Sequence, residues 1–341
     1  MVETVLVTGA AGYIGSHTVV ALRNHGYSVV AVDRRTPAGR SHSAAPFVQA
    51  DIGNERVMSR TIRDYSVTSI VHLAGDKSVE HSLRHPADYF RNNVCGTLKL
   101  LRAMDRTGVR QMIFSSSCAV YGNPDSQPVT EETEPRPLNP YGESKLIIER
   151  MLRWFDACVG LRFVSLRYFN AAGASPADGL GEDWEGASNL IPVLMRAVLL
   201  GDGPVRVFGS DYPTPDGTAV RDYVHVADLA MGHVMALRYL REGRQSATVN
   251  LGSGQGSSVL EVIAALRAVS GRRIRVERAP PRPGDPAAIW AANSKAADLL
   301  GWRPRFTLND IVASAWSWHG GQSAGAASKR GTGRSSLPRA P

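Results

Sequence analysis

The chain has 341 residues, 43% of them hydrophobic and 21% charged, which is long enough for one large or two ordinary domains with buried cores. No run approaches the ~18 consecutive apolar residues of a membrane span, and the opening MVETVLVTGA lacks the basic-then-apolar layout of an export signal. The net charge of +8 does not mark a nucleic-acid binder: Lys329, Arg330, Arg334 and Arg339 supply +4 of it after the last acidic residue, Asp310. No basic run with interleaved aromatics occurs. Cys95, Cys118 and Cys158 form neither a CxxC pair nor a closed disulfide framework, so a cytoplasmic location is expected. Five lysines stand against 34 arginines, which directs attention to each internal lysine.

Over the first 170 residues strand-like runs at 4–7, 28–32, 47–49, 69–73, 111–114 and 163–166 alternate with amphipathic stretches such as 57–64 and 89–106. That alternation predicts an α/β fold, a doubly wound parallel sheet with helices on both faces. From 171 to about 319 the chain is irregular, rich in Gly, Pro and Asp, with helical segments at 189–200, 226–240, 259–269 and 294–300. This reads as a smaller C-terminal α/β domain, parts of which can return to the first sheet. Residues 320–341 have almost no apolar content and are expected to be disordered.

Thr8-Gly9-Ala10-Ala11-Gly12-Tyr13-Ile14-Gly15 follows the first strand and opens a helix. Glycines at this place permit a tight turn and let backbone N–H groups approach a pyrophosphate at the positive end of a helix. Asp33 ends the second strand 18 residues past Gly15, where a carboxylate accepts from ribose hydroxyls and repels a 2′-phosphate, favouring NAD over NADP. Arg34 and Arg35 follow at once and pull the other way. Asp51-Ile52 after the third strand fits either an adenine contact or the cap of the next helix.

Tyr141-Gly142-Glu143-Ser144-Lys145 places a phenol and an ammonium at i and i+4, on one helix face. A cation beside a phenol favours its anion, so the pair is expected to prepare Tyr141 to take a proton from a sugar hydroxyl. Ser115-Ser116-Ser117 ends the fifth strand 24 residues earlier and faces the same crevice. A YxxxK pair alone occurs often by chance on helix surfaces; glycine cradle, strand-end serine and YxxxK in this order are specific.

The strings TGAAGYIG, HLAGDKSV, NNVCGTLKLL, FSSSCAVYG, NPYGESK, LRYFNAAGA, SNLIP, DGTAVRDYVHVADLA, NLGSGQGSSVLEV and RPGDPAAIWA resemble the UDP-glucose 4-epimerase family of extended short-chain dehydrogenase/reductases, over residues 4 to about 318. The resemblance implies a Rossmann-type NAD-binding domain, an isomerase acting through a 4-keto intermediate with NAD retained, a UDP-sugar substrate and a homodimer. It implies Tyr141 as base, Lys145 as its electrostatic partner and ribose ligand, and Ser117 as hydrogen-bond partner of the 4-hydroxyl. Gly9, Gly12, Tyr13, Ile14, Gly15, Asp33, Asp51, Ile52, Leu73, Ala74, Lys77, Asn92 and Tyr168 fall at cofactor positions, together with Tyr141 and Lys145. Asn170, Asn189, Leu190, Phe208, Arg221, Arg282, Asp285 and Ile289 fall at substrate positions, the arginines as forks for phosphate.

Related chemistries fit less well. A 4,6-dehydratase places an Asp-Glu pair after the strand-end hydroxyl residue, where this chain has Cys118-Ala119. A reductase would release its cofactor, and a non-catalytic NAD or sugar-nucleotide sensor has no need of Ser117, Tyr141 and Lys145. His81 and His85 have a ligand-capable i, i+4 spacing but no third ligand, so no metal is expected. In this family a large tyrosine at the position of Ile289 excludes an N-acetyl group and a small residue admits it. Isoleucine is intermediate, which leaves UDP-N-acetylhexosamines and UDP-pentoses as alternative substrates. The stretch 34–51 is shorter than in many relatives.

Overall fold

The computed structural model describes residues 3–36, 45–184, 187, 189–201, 203–282 and 285–331, and of 322–331 only the backbone. Apolar and β-branched runs form β1 (Thr4–Thr8), β2 (Ser28–Asp33), β3 (Phe47–Gln49), β4 (Val67–His72), β5 (Gln111–Ser117) and β6 (Arg162–Tyr168). They pair in parallel, and Ala247–Leu251 joins the edge beside β6. The order across the sheet is Ala247–Leu251, β6, β5, β4, β1, β2, β3. It reverses direction between β1 and β4, which opens a crevice at their carboxyl ends, the place where such sheets bind ligands.

Alternate residues of each strand feed two cores, as a sheet covered on both sides requires. Val5, Val7, Val29, Ala31, Val71, Ile113, Val164 and Leu166 pack with α1 (Tyr13–Asn24) and the helix Val226–Arg241. Leu6, Val32, Ile70, Met112, Phe114 and Phe163 pack on the other face with α2 (Glu55–Asp64) and the helices Gly96–Thr107 and Pro140–Val159. A third cluster, including Ile191, Leu194, Val205, Val207, Val262, Leu266, Ile311 and Val312, draws only on residues beyond 170. The helix Val226–Arg241 and the strand Ala247–Leu251 lie beyond residue 170 in sequence yet belong to the large sheet.

Two segments differ from the sequence reading. The stretch 89–106 is broken: Pro86–Tyr89 leads into a wider π-helical turn, Phe90–Cys95, before the helix Gly96–Thr107 begins. The helix Leu308–Gly331 runs past Gly320, where disorder is expected. Its apolar first half is anchored in the third core, and residues 320–331, GGQSAGAASKRG, add turns to a helix already nucleated, although four of them are glycines. The expected disorder of 332–341 lies outside the described residues, as do Met1–Val2 and residues 37–44 of the stretch after Asp33.

Candidate active site

The glycines after β1 are dictated by contact distance. Gly9 has φ +70°, and a Cβ there would sit 2.6 Å from the amide nitrogen of Ala74 and 2.8 Å from the carbonyl carbon of Leu73, which form the adjacent wall after β4. A Cβ on Gly15 would lie 2.0 Å from the Gly9 carbonyl oxygen. Gly12 caps α1 with no side chain, and the first turn, which holds Tyr13 and Ile14, has no acidic residue. The result is a bare, positive helix end facing the crevice, fitted for an anion. The Tyr13 hydroxyl leaves the cradle and donates to the Gly173 carbonyl at 2.6 Å.

At the end of β2 the buried Asp33 carboxylate accepts from the Ala11 N–H of the cradle (3.0 Å) and from the Arg35 N–H (2.9 Å). Arg34 is engaged elsewhere: it pairs with Asp76, 2.9 Å away across the end of β1, and Asp76 accepts from Asn92 at 2.6 Å. Asn93, on the same π-helical turn, accepts from the Asp76 N–H at 2.8 Å. Asp51 is exposed and accepts from the Gly53 N–H at 2.7 Å, while Asn54, and not Asp51, caps α2. Ile52 is buried against Gly96.

The catalytic candidates converge. Asn139 caps the helix Pro140–Val159 by accepting from the Gly142 N–H at 2.9 Å, which fixes Tyr141 in the first turn and Lys145 one turn later. Ser117 ends β5, and its register partner on β6 is Tyr168. Ser115 hydrogen-bonds the Tyr168 hydroxyl. Lys145 donates to the Ser115 carbonyl at 2.8 Å and lies 5.9 Å from the centre of the Tyr141 ring. Burial pushes the Tyr141 phenol up to about 12, opposed by a hydrogen bond with Ser117. Burial also pushes the Lys145 ammonium down to about 8, opposed by Glu149. The expected lowering of the phenol by its neighbour is therefore not met in the protein alone, because in the dry crevice the loss of hydration outweighs their proximity.

The substrate candidates come from separate segments. Arg221 on the short strand Val220–Arg221 pairs in register with Ile289, and its guanidinium lies 3.4 Å from Asp285. Arg282 stacks its guanidinium over the Phe208 ring at 4.1 Å. Asn170 pairs with Tyr223, and Ile289, 4% exposed, is packed with Val120, Tyr121, Leu146 and Phe169, with Cys118 against the cluster. Asn189 stands at the N-cap of the helix Leu190–Leu200, and its side chain does not cap it. Lys77 and Asn189 both donate to the buried carboxylate of Glu182, at 3.3 and 3.1 Å.

Three acidic residues in this region went unread in the sequence. Glu182 follows Gly181 with no periodic pattern around it, and Asp76 stands inside the motif that drew attention to Lys77. Asp222, next to Arg221, accepts from the backbone N–H groups of Ser253 (2.6 Å) and Ala291 (3.1 Å) and so pins the segment that follows the strand of Ile289. Burial pushes the Cys118 thiol up to about 12, so it stays protonated. The His81 and His85 rings pack on each other at 4.6 Å, and no cluster of three metal-ligating side chains occurs among the described residues. Among those residues no helix is long and apolar enough to cross a membrane.

The model of the NAD dependent epimerase/dehydratase family matches residues 5–252. The UDP-glucose 4-epimerase of Streptococcus mutans is 45% identical over 320 residues, covering 92% of this chain and 96% of that protein. The crystal structure of UDP-glucose-4-epimerase from Stenotrophomonas maltophila, with bound NAD and formylated UDP-arabinopyranose, superposes with a TM-score of 0.91 at 42% identity, over 95% of this chain and 99% of that one. The Brucella ovis enzyme in complex with NAD gives 0.90 at 41%, over 93% and 98%. By sequence and by fold, the chain belongs to the NAD dependent epimerase/dehydratase family.

Proposed function

We infer that this protein is an isomerase, an NAD-dependent 4-epimerase that interconverts UDP-glucose and UDP-galactose. The observation that carries the reading is the convergence of a dinucleotide cradle with Ser117, Tyr141 and Lys145 at the carboxyl end of one sheet, in a chain 40–46% identical to enzymes of that name. The cradle fits NAD on this chain's own chemistry. Gly9 and Gly15 leave room that a Cβ would fill, the start of α1 is bare, and Asp33 is held by the cradle itself. When bound, NAD supplies a hydride acceptor and donor for the sugar C4.

The residues then divide the work. Gly9, Gly12, Gly15 and the first turn of α1 hold the pyrophosphate; Asp33, Asp51 and Ile52 hold the adenosine. Leu73, Ala74, Lys77 and Asn92 would line the next wall, and Tyr168 would face the nicotinamide. Tyr141 accepts the O4 proton and returns it, with Ser117 bonded to the same oxygen. Lys145, held by the Ser115 carbonyl, supplies positive charge when protonated. Arg221, Arg282 and Asp285, with Asn189, Leu190 and Phe208, grip the UDP, while Asn170 and Ile289 border the sugar. Gripping the nucleotide rather than the hexose lets a 4-keto intermediate present either face of C4.

Exposed Leu98 and Trp154, on the neighbouring helices Gly96–Thr107 and Pro140–Val159, support a homodimer by offering a second copy an apolar contact. Three unpaired cysteines, two of them exposed, support a reducing cytoplasmic location. The test is to give the purified protein UDP-galactose with no added NAD. UDP-glucose should form, and Tyr141→Phe should lose at least about a hundredfold in kcat with its NAD retained. Near-wild-type turnover by that variant overturns the mechanism, and a monomeric mass in solution overturns the dimer.

A further inference from the structure

The Glu182 side chain is 9% exposed and bridges Lys77, itself 68% exposed, and Asn189. It follows the short hairpin Ala174–Ser175/Leu180–Gly181, a segment fastened on several sides. Tyr13 of the cradle helix donates to Gly173, the Ala174 N–H donates to Ser314 (3.1 Å), and the Trp318 indole donates to the Glu182 carbonyl (3.1 Å). A Cβ on Gly181 would lie 2.4 Å from that indole, so the backbone is seated directly on the ring. The carboxylate itself accepts from Lys77, on the loop after β4, and from Asn189, at the start of the helix Leu190–Leu200. An ammonium has three donors and a side-chain amide two, so each partner keeps groups free for a ligand after bonding Glu182.

We propose that Glu182 is a positioning residue shared by both sites: its carboxylate aims Lys77 at the cofactor phosphates and fixes Asn189, with the uncapped helix start behind it, toward the UDP of the substrate. This rests on the reading above, which assigns Lys77 to NAD and Asn189 to the nucleotide. A carboxylate is suited to the task because it holds an ammonium and an amide at once, and charge-assisted bonds are the stronger kind. Glutamine at 182 keeps the size and an acceptor oxygen but loses the charge that orders Lys77. Both ligand sites then loosen while Ser117, Tyr141 and Lys145 stay in place.

The experiment compares wild type, Glu182→Gln, Lys77→Met and the double variant. It reads kcat, KM for UDP-galactose and NAD per protomer after gel filtration. Glu182→Gln is expected to raise KM about tenfold, the size of one charge-assisted hydrogen bond, with kcat within about threefold and NAD content reduced. In NAD content the double variant should be no worse than the worse single one, because the contact between Lys77 and Glu182 is already lost in either. Wild-type KM and NAD content in Glu182→Gln, a loss confined to kcat, or losses of NAD content that multiply in the double variant would each overturn the proposal. If Glu182→Gln does not fold, Glu182→Asp, which keeps the charge and shortens the reach, is read by the same criteria. Wild-type protein that fails to epimerise UDP-galactose refutes the functional reading itself, before any variant is compared.

Discussion

Lys145 is held in the folded protein at a cost in stability, and Lys145→Met exposes that cost. Burial takes its ammonium from the ordinary 10.5 to about 8 in spite of Glu149. A lysine whose folded pKa is depressed favours the unfolded chain, and the penalty is complete below about 8 and fades as pH climbs toward 10.5. At pH 7 that penalty is about 3 kcal/mol. Methionine escapes it but leaves the Ser115 carbonyl without its 2.8 Å donor, a loss of about 1–3 kcal/mol. Lys145→Met should therefore be as stable as wild type at pH 7, or up to about 2 kcal/mol more stable, while losing activity. The contact loss does not change with pH, so wild type should gain about 2 kcal/mol on the variant between pH 7 and pH 10. Urea unfolding of both proteins, freed of nicotinamide cofactor, at four pH values measures this. A gap that stays constant over that range would refute the claim that burial depresses Lys145.

Gly15→Ala should strip the protein of NAD, because its Cβ would meet the Gly9 carbonyl oxygen at 2.0 Å and push α1 off the cradle. Nucleotide content of the purified variant checks this, and full NAD occupancy would count against the cradle. Glu149, fully buried, accepts from Arg167 at 2.6 and 2.9 Å and from Ser116 at 2.6 Å. Glu149→Gln should cost about 3–5 kcal/mol in urea unfolding by leaving a buried guanidinium uncompensated, and Glu149→Met with Arg167→Met should recover most of it. A loss under about 1 kcal/mol in the single variant would show that water reaches the pair.

The cofactor half was legible because its signals are local. β1, the glycine turn, α1 and Asp33 lie within thirty residues of one another, and strand, turn and helix each carry their own pattern. Tyr141 and Lys145 were legible for the same reason, since four residues on a helix fix their common face. What spacing could not show is the electrical setting. Nearness of a cation predicts a lowered phenol, and only the folded packing reveals that burial raises it instead. The substrate half carried little pattern of its own. Arg221 and Ile289 meet because two two-residue strands pair across 68 positions, and Glu182 joins Lys77 across 105. No periodicity reports contacts of that kind: the resemblance alone pointed to Arg221 and Ile289, and nothing in the sequence pointed to Glu182.

The choice between NAD and NADP shows the same limit in one place. In sequence, Asp33 argues for one cofactor and Arg34-Arg35 for the other, and residue type alone does not decide. The fold adds what residue type lacks, a partner for each group. Asp33 is locked by two backbone N–H groups with its carboxylate in the cradle, and Arg35 lies 4.0 Å from that same carboxylate. Arg34 is turned to Asp76, which Asn92 and Asn93 hold in turn. A 2′-phosphate arriving here would meet a fixed negative charge and two guanidinium groups each facing a carboxylate. Arg34 is thus restrained by a carboxylate 42 residues away in sequence, on the opposite side of β1, so that a phosphate placed beside Asp33 would find neither arginine without an anionic neighbour already at hand.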